Sequence, residues 1–282
     1  MNDLQDRTAV VIGGGGGIGR GISLGLAAAG MHVVVADIEP DPAAAVAAEI
    51  GGRGGTAVSR HVDATSRESL RQLAEFASDR FGGVHVLSNN VGVITDRRLD
   101  AASDTDWAWF LEFNIMAIAR GVDEFLPFLR AHGEPAHIVN TSSMAGLLVL
   151  PPETTGGVHT GLYTTTKHAL VGYCAMLRAE LAPEGIGVSV LCPGVVVGNL
   201  AATSARNRPA RFGGPADGIA DAAPMPFMMP SEEVGPKVVD GIRANRLHIF
   251  THTDDYIADM LRERFDAMMS DFHAAASDAV AP

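Results

Sequence analysis

Two residues four apart open the chemical reading: Tyr163 and Lys167, in Tyr163-Thr164-Thr165-Thr166-Lys167 at the start of an apolar-periodic stretch. On a helix that spacing puts a phenol and an ammonium on one face, a turn apart. A phenol titrates near pH 10, too high for a base at neutral pH. A neighbouring cation favours the phenolate, and any further positive charge placed beside it would add to the effect. Bringing the pKa into the neutral range takes roughly 4 kcal/mol of differential stabilisation, which close charges in a partly dry site supply. By itself, however, the same spacing fits an ordinary helix surface.

A second cluster lies at the other end of the chain. Ala9-Val10-Val11-Ile12-Gly13-Gly14-Gly15-Gly16-Gly17-Ile18-Gly19-Arg20 runs from an apolar strand through glycines into a helix. Glycine tolerates positive φ and lets backbone approach a pyrophosphate, which the free N–H groups of the helix N-terminus then bind. Five consecutive glycines allow several registers. Asp37 follows Val33-Val34-Val35-Ala36 some twenty residues on, where a carboxylate accepts the ribose hydroxyls of NAD and repels a 2′-phosphate. No Arg or Lys stands beside it in the chain, so NAD is favoured over NADP.

The elements that must position these groups are legible as alternation. Strand-like runs at 7–12, 32–37, 56–62, 84–89, 135–141, 186–192 and 247–251 are separated by helical stretches near 18–30, 41–50, 66–81, 104–131, 162–182 and 231–244. Continuous apolar strands separated by helices predict an α/β protein: a Rossmann-type, doubly wound parallel sheet of about seven strands with helices on both faces. No repeat or linker divides the chain, which reads as a single domain over 1–282. Pro151, Pro152 and the glycines of 147–161 forbid a helix there. The Gly-, Pro- and Met-rich segment 194–230 reads as a substrate lid, and 274–282 as a frayed tail.

Composition narrows the partners. The 282 residues carry 33 acidic against 21 basic side chains, a formal charge of −12, which repels nucleic acid and anionic lipid. No apolar run is long enough to span a membrane, and the N-terminal residues lack a signal pattern. Cys174 and Cys192, in apolar surroundings without CxxC spacing, read as buried free thiols, pointing to a reducing cytoplasm. The ten histidines show no ligand spacing, so no metal is expected, and His168 reads as structural.

Taken together, the motifs resemble the short-chain dehydrogenase/reductase (SDR) family over about residues 6–255. Gly13, Gly17 and Gly19 match its glycine pattern, with Ile18 between them. His61-Val62-Asp63 resembles the segment whose aspartate contacts adenine, and Asn89-Asn90-Val91-Gly92 the motif supporting sheet and cofactor. Asn114 matches the catalytic asparagine, Ile138-Val139-Asn140-Thr141-Ser142-Ser143 ends at the catalytic serine, and Pro193-Gly194 matches the turn near the nicotinamide. The resemblance implies that Tyr163 is general base in oxidation and general acid in reduction. It implies that Lys167 lowers the Tyr163 pKa and bonds the nicotinamide ribose, that Ser143 rather than Ser142 bonds the substrate oxygen, and that Asn114 holds a water in a proton relay. It implies a homotetramer or dimer built from the helices near 104–131 and 162–182.

Departures from the family pattern are specific. Ile12 stands where threonine is usual, Val91 where alanine is usual, and Gly198 at a threonine position that contacts the carboxamide, with Asn199 as the candidate substitute. Ser143 and Tyr163 are 20 residues apart, longer than in many relatives.

The activity so implied is hydride transfer between a secondary alcohol and NAD, or the reverse ketone reduction. Alternatives are an SDR-type epimerase or dehydratase with recycled cofactor, and a non-catalytic NAD-binding protein. Met225-Pro226-Phe227-Met228-Met229-Pro230 suits a bulky hydrophobic or aromatic substrate, or packing on the core. Arg206-Asn207-Arg208-Pro209-Ala210-Arg211-Phe212 and Leu247–His252 resemble the branch containing bacterial lignin Cα-dehydrogenases. Arg206, Arg208 and Arg211 read as a solvated loop before a substrate-carboxylate site.

Overall fold

The computed structural model describes residues 1–216 and 228–278. Its first half alternates β1 (Thr8–Ile12), α1 (Gly17–Ala28), β2 (His32–Asp37), α2 (Pro40–Gly52), β3 (Thr56–His61), α3 (Arg67–Phe81) and β4 (Val86–Asn89). Then follow α4 (Asp104–Leu111), α5 (Ala117–Ala131), β5 (Ala136–Thr141), α6 (Gly161–Leu181), β6 (Ile186–Cys192), α7 (Leu200–Arg206), α8 (Val234–Arg243), β7 (His248–Phe250) and α9 (Asp255–Asp278). The seven strands are parallel, in the order β3-β2-β1-β4-β5-β6-β7. Winding runs outward from β1 in both directions, so the turns after β1 and β4 diverge and open a crevice at the carboxyl ends of the strands.

Period-two alternation explains why the strands read as unbroken apolar runs. Val10, Ile12, Val34, Leu87 and Ile138 face the layer of α3, α5 and α6, while Ala9, Val11, Val33, Val35, Val86 and Val139 face α1, α2 and α8. Register then sets the site: Ile12, Asn89 and Asn140 stand abreast at the strand ends, and Asn89 Nδ2 donates to Asn140 Oδ1 at 2.9 Å.

The structure departs from the sequence reading in three places. The expected helix over 104–131 is broken into α4 and α5 by a π-helical segment, Glu112–Met116, that carries Asn114. Within 194–230, α7 and a 3₁₀ turn (Ala210–Phe212) form where only a loop was read; residues 217–227, including Met225, Pro226 and Phe227, lie outside the described residues. The predicted tail from 274 is instead helical as far as Asp278, because α9 anchors Ile257, Met260 and Leu261 on the core and runs on through the strong helix formers Ala274–Ala276; residues 279–282 are outside the described residues. Among the described residues, no helix is long and apolar enough to cross a membrane.

Candidate active site

The glycine turn leaves β1 with Gly13 at φ +76° and Gly17 at φ +46°, values that favour glycine. The Gly13 and Gly14 N–H groups donate to Ala36 O, at 2.8 and 3.0 Å, binding the turn to β2. A Cβ on Gly19 would lie 1.9 Å from Gly13 O, so no side chain fits where the helix folds back on the turn. Asn90 braces it from β4: Nδ2 donates to Gly13 O at 3.1 Å and its N–H to Ile12 O at 2.8 Å. The partly buried Ile18 packs on the α1 face of the sheet.

Asp37 caps the turn electrostatically. Its Oδ2 accepts from Gly15 N at 2.9 Å and its Oδ1 from Glu39 N at 3.1 Å. Each oxygen keeps a lone pair for a ribose hydroxyl. Val62, buried, donates its N–H to Asp37 O at 2.9 Å, which sets Asp63 beside the same edge. Asp63 Oδ1 accepts from Thr65 N and Oγ1, at 2.8 and 2.7 Å, leaving Oδ2 for a ligand. These groups form a cradle that suits a dinucleotide: close-approach backbone, a helix N-terminus, and carboxylates at the far end.

The reacting side chains converge on the neighbouring strand ends. Tyr163 and Lys167 lie in the first two turns of α6. Ser143 follows β5; its Oγ accepts from Ala145 N at 3.1 Å, and its hydroxyl lies close enough to the Tyr163 phenol to oppose a rise in that group's pKa. Ser142 turns away: its Oγ donates to Lys167 O at 2.9 Å, a structural brace. Lys167 is buried and donates from Nζ to Thr141 O at 2.9 Å. Asn114 is fully buried; its Oδ1 accepts from Val93 N at 2.7 Å, and Nδ2 donates to Val93 O and Thr166 Oγ1 at 3.2 and 2.9 Å. Pro193 O accepts from Met144 N at 2.8 Å and Gly194 N donates to Thr251 Oγ1 at 3.0 Å, tying the turn after β6 to β5 and β7.

Thr141 and Thr166 were not singled out by sequence. Both work through tertiary hydrogen bonds, and only the internal placement of Thr166 in the Tyr-to-Lys segment hinted at it. Burial also shapes the electrostatics of Tyr163 and Lys167. In the protein alone, burial raises the Tyr163 pKa, and the Ser143 hydrogen bond opposes that rise. Burial lowers Lys167 to about 8. The net effect of these surroundings is a phenol held above its ordinary pKa.

With this geometry in view, comparison with known proteins is decisive. The family model described as short chain dehydrogenase matches residues 7–209. The chain belongs to the short chain dehydrogenase family. This short-chain dehydrogenase is 31% identical over 274 residues to 1-deoxy-11-beta-hydroxypentalenate dehydrogenase of Streptomyces exfoliatus, covering 93% of this chain and 88% of that one. It is 29% identical to the C alpha-dehydrogenase of Sphingobium sp. strain SYK-6, over 99% of this chain and 90% of the relative. Among solved structures, a short chain dehydrogenase/reductase from Burkholderia phymatum in complex with NAD superposes with a TM-score of 0.82 at 30% identity, over 96% and 97% of the two chains.

In this short-chain dehydrogenase the segment after β6 crosses the crevice. Gly198 packs on Gly17, where a Cβ would lie 3.3 Å from its Cα, and the segment's ends meet as Val197 N donates to Met229 O at 2.9 Å. Ile94 N donates to Ser204 Oγ at 3.0 Å. Phe212 is buried with Val93, Trp109, Phe110 and Leu162, and Tyr163, Trp107 and Phe113 border the same cluster. Met229 packs on the sheet core instead.

Arg206 and Arg211 are exposed, as a solvated loop implies, whereas Arg208 is largely sequestered, contrary to that expectation. Arg208 pairs with Asp106 at 2.9 Å and lies over the Trp109 ring at 4.3 Å; Arg206 pairs with Glu39; Arg211 stands 3.8 Å from Glu112 and 3.5 Å from Thr65 Oγ1. His168 bonds Thr164 O at 2.9 Å within its own helix. Cys174 and Cys192 are buried, their thiols pushed up to about 11 and about 12.

Proposed function

We propose that this protein is an NAD-dependent dehydrogenase of secondary alcohols, or the ketone reductase running in reverse, with a bulky hydrophobic or aromatic substrate. The observation that carries it is the convergence of Ser143, Tyr163 and Lys167 at the strand ends beside the glycine cradle. Gly13, Gly17, Ile18, Gly19, Asp37, Val62, Asp63, Asn90, Pro193 and Gly194 would hold the dinucleotide, together with Tyr163 and Lys167. When bound, the nicotinamide supplies or takes up the hydride.

The chain's own groups handle the proton. Ser143 bonds the substrate oxygen and Tyr163 takes its proton in oxidation or returns it in reduction. Lys167, held by Thr141 O, has two further N–H donors for the ribose and for onward proton transfer. Gly92 supports the relay: a Cβ there would lie 3.2 Å from both Lys167 Nζ and Asn114 Oδ1 and would crowd both groups. Both Asn114 Nδ2 protons are spent, so Asn114 serves the relay as an acceptor.

Asp37 supports NAD over NADP, because a carboxylate at the ribose repels a 2′-phosphate. The aromatic cluster of Trp109, Phe110, Phe113 and Phe212 beside Tyr163 supports an aromatic or bulky apolar substrate. The segment 194–230 serves as the lid. Exposed Leu111, Met116 and Met176 on the helices of 104–131 and 162–182 support a homo-oligomer built there. Incubation of the purified protein with NAD and a panel of benzylic, alicyclic and steroid alcohols tests the reading. Stoichiometric formation of reduced nicotinamide is expected; turnover without net reduction would instead indicate an epimerase or dehydratase.

A further inference from the structure

The sequence places no cation beside Asp37, but the fold brings one close. Arg206, the last residue of α7, donates from Nε and Nη2 to Glu39 Oε1, at 2.9 and 2.6 Å, across 167 residues of chain. Glu39 in turn donates its N–H to Asp37 Oδ1 at 3.1 Å. The guanidinium is thus held two residues from the carboxylate read as the ribose acceptor. Other arginines on this edge are engaged elsewhere: Arg20 and Arg53 pair with Glu49 and Glu232.

The pair does little for stability. Its side chains are 55% and 25% exposed, and ion pairs so open to water contribute about 0–1 kcal/mol. Its effect lies in where the charge is held. A guanidinium presents a fork that matches a phosphate dianion, and a carboxylate already in that fork competes with it.

We propose that Glu39 is a specificity-determining residue: by engaging Arg206 it withholds the guanidinium from a nucleotide 2′-phosphate, so that NADP meets Asp37 with no compensating cation. The inference rests on the reading of Asp37 as the ribose acceptor. It adds a second discriminating contact, contributed by the segment that crosses the crevice and not by the turn after β2.

Binding of NAD and NADP to the full-length protein, followed by quenching of tryptophan fluorescence, provides the test. The wild type is expected to favour NAD. Asp37→Ser removes the direct repulsion, and adding Glu39→Gln to it should tighten NADP about tenfold further, with NAD nearly unchanged. Adding Arg206→Gln to that pair should return NADP to the level of Asp37→Ser alone. Absence of the Glu39→Gln gain overturns the proposal; so does a gain that survives Arg206→Gln, since the loss of one negative charge would then explain it. A wild-type preference for NADP is a separate result, which overturns the reading of Asp37 itself. All three side chains lie at the surface of the cleft, and matching melting temperatures establish that the variants fold.

Discussion

Lys167 Nζ stands 5.5 Å from the centre of the Tyr163 ring and spends a hydrogen bond on Thr141 O, 2.9 Å away. The cation is near the phenol without pairing to it. Burial consequently dominates the free protein, holding Tyr163 above its ordinary pKa and Lys167 at about 8. A buried phenol of this kind becomes a useful base once further positive charge arrives beside it.

That order of events is measurable. Ultraviolet titration of wild type against Tyr163→Phe should assign to Tyr163 an ionisation above the usual pH 10 in the free protein. With NAD added, a positive charge within reach should lower it by about 1–3 pH units. An ionisation already near neutrality without nucleotide would contradict the structure.

Tyr163→Phe keeps the ring in the aromatic cluster and deletes the proton carrier. Turnover should fall at least on the order of 10²–10⁴-fold, with the dissociation constant for NAD within a few-fold of wild type. Steady-state kinetics with parallel fluorescence binding separates the two effects; retained activity rejects the mechanism.

Asp37→Ala should raise the KM for NAD far more than that for NADP, since only the former loses a hydroxyl acceptor and the latter loses a repulsion. Initial rates with both nucleotides read this directly. Equal changes would mean that Asp37 merely shapes the glycine turn through Gly15 N.

Acid stability should depend on His85, at the opposite end of the sheet. Its Nδ1 accepts from Thr8 N at 3.2 Å, its ring stacks on His132, and burial lowers it to about 4. The unfolded chain binds a proton near pH 6.5 while the folded chain resists it, so this contribution is intact above about pH 6.5 and is lost as pH falls towards 4. Melting temperature should decline over that window, and His85→Asn should flatten the decline; an unchanged slope excludes His85 as a cause.

Arg208→Ala should destabilise the protein by about 1–3 kcal/mol in urea titration, because Asp106 Oδ1 loses its ion-pair partner while Oδ2 keeps Ser103 and the more distant Arg97. Pairing it with Asp106→Asn should restore part of the loss. If Arg208→Ala is neutral, the ion pair is not what fixes the segment carrying Phe212.

How much of this was legible in the chain follows from the range of each interaction. Strand and helix order was written locally, in apolar runs and their periods, and so was the glycine turn, whose φ values and tight packing against Gly19 only glycine tolerates. The candidate groups Asn114, Ser143, Tyr163 and Lys167 carried local signatures too. What no local pattern encodes is partnership across the chain. The π-helical break at Asn114, the Thr141 oxygen that takes Lys167, and the pairing of Arg206 with Glu39 were all decided by tertiary contacts. Side-chain identity determined which chemistry was available. Burial and long-range hydrogen bonding determined the protonation energies and the neighbours, because both depend on what the fold places within a few ångströms.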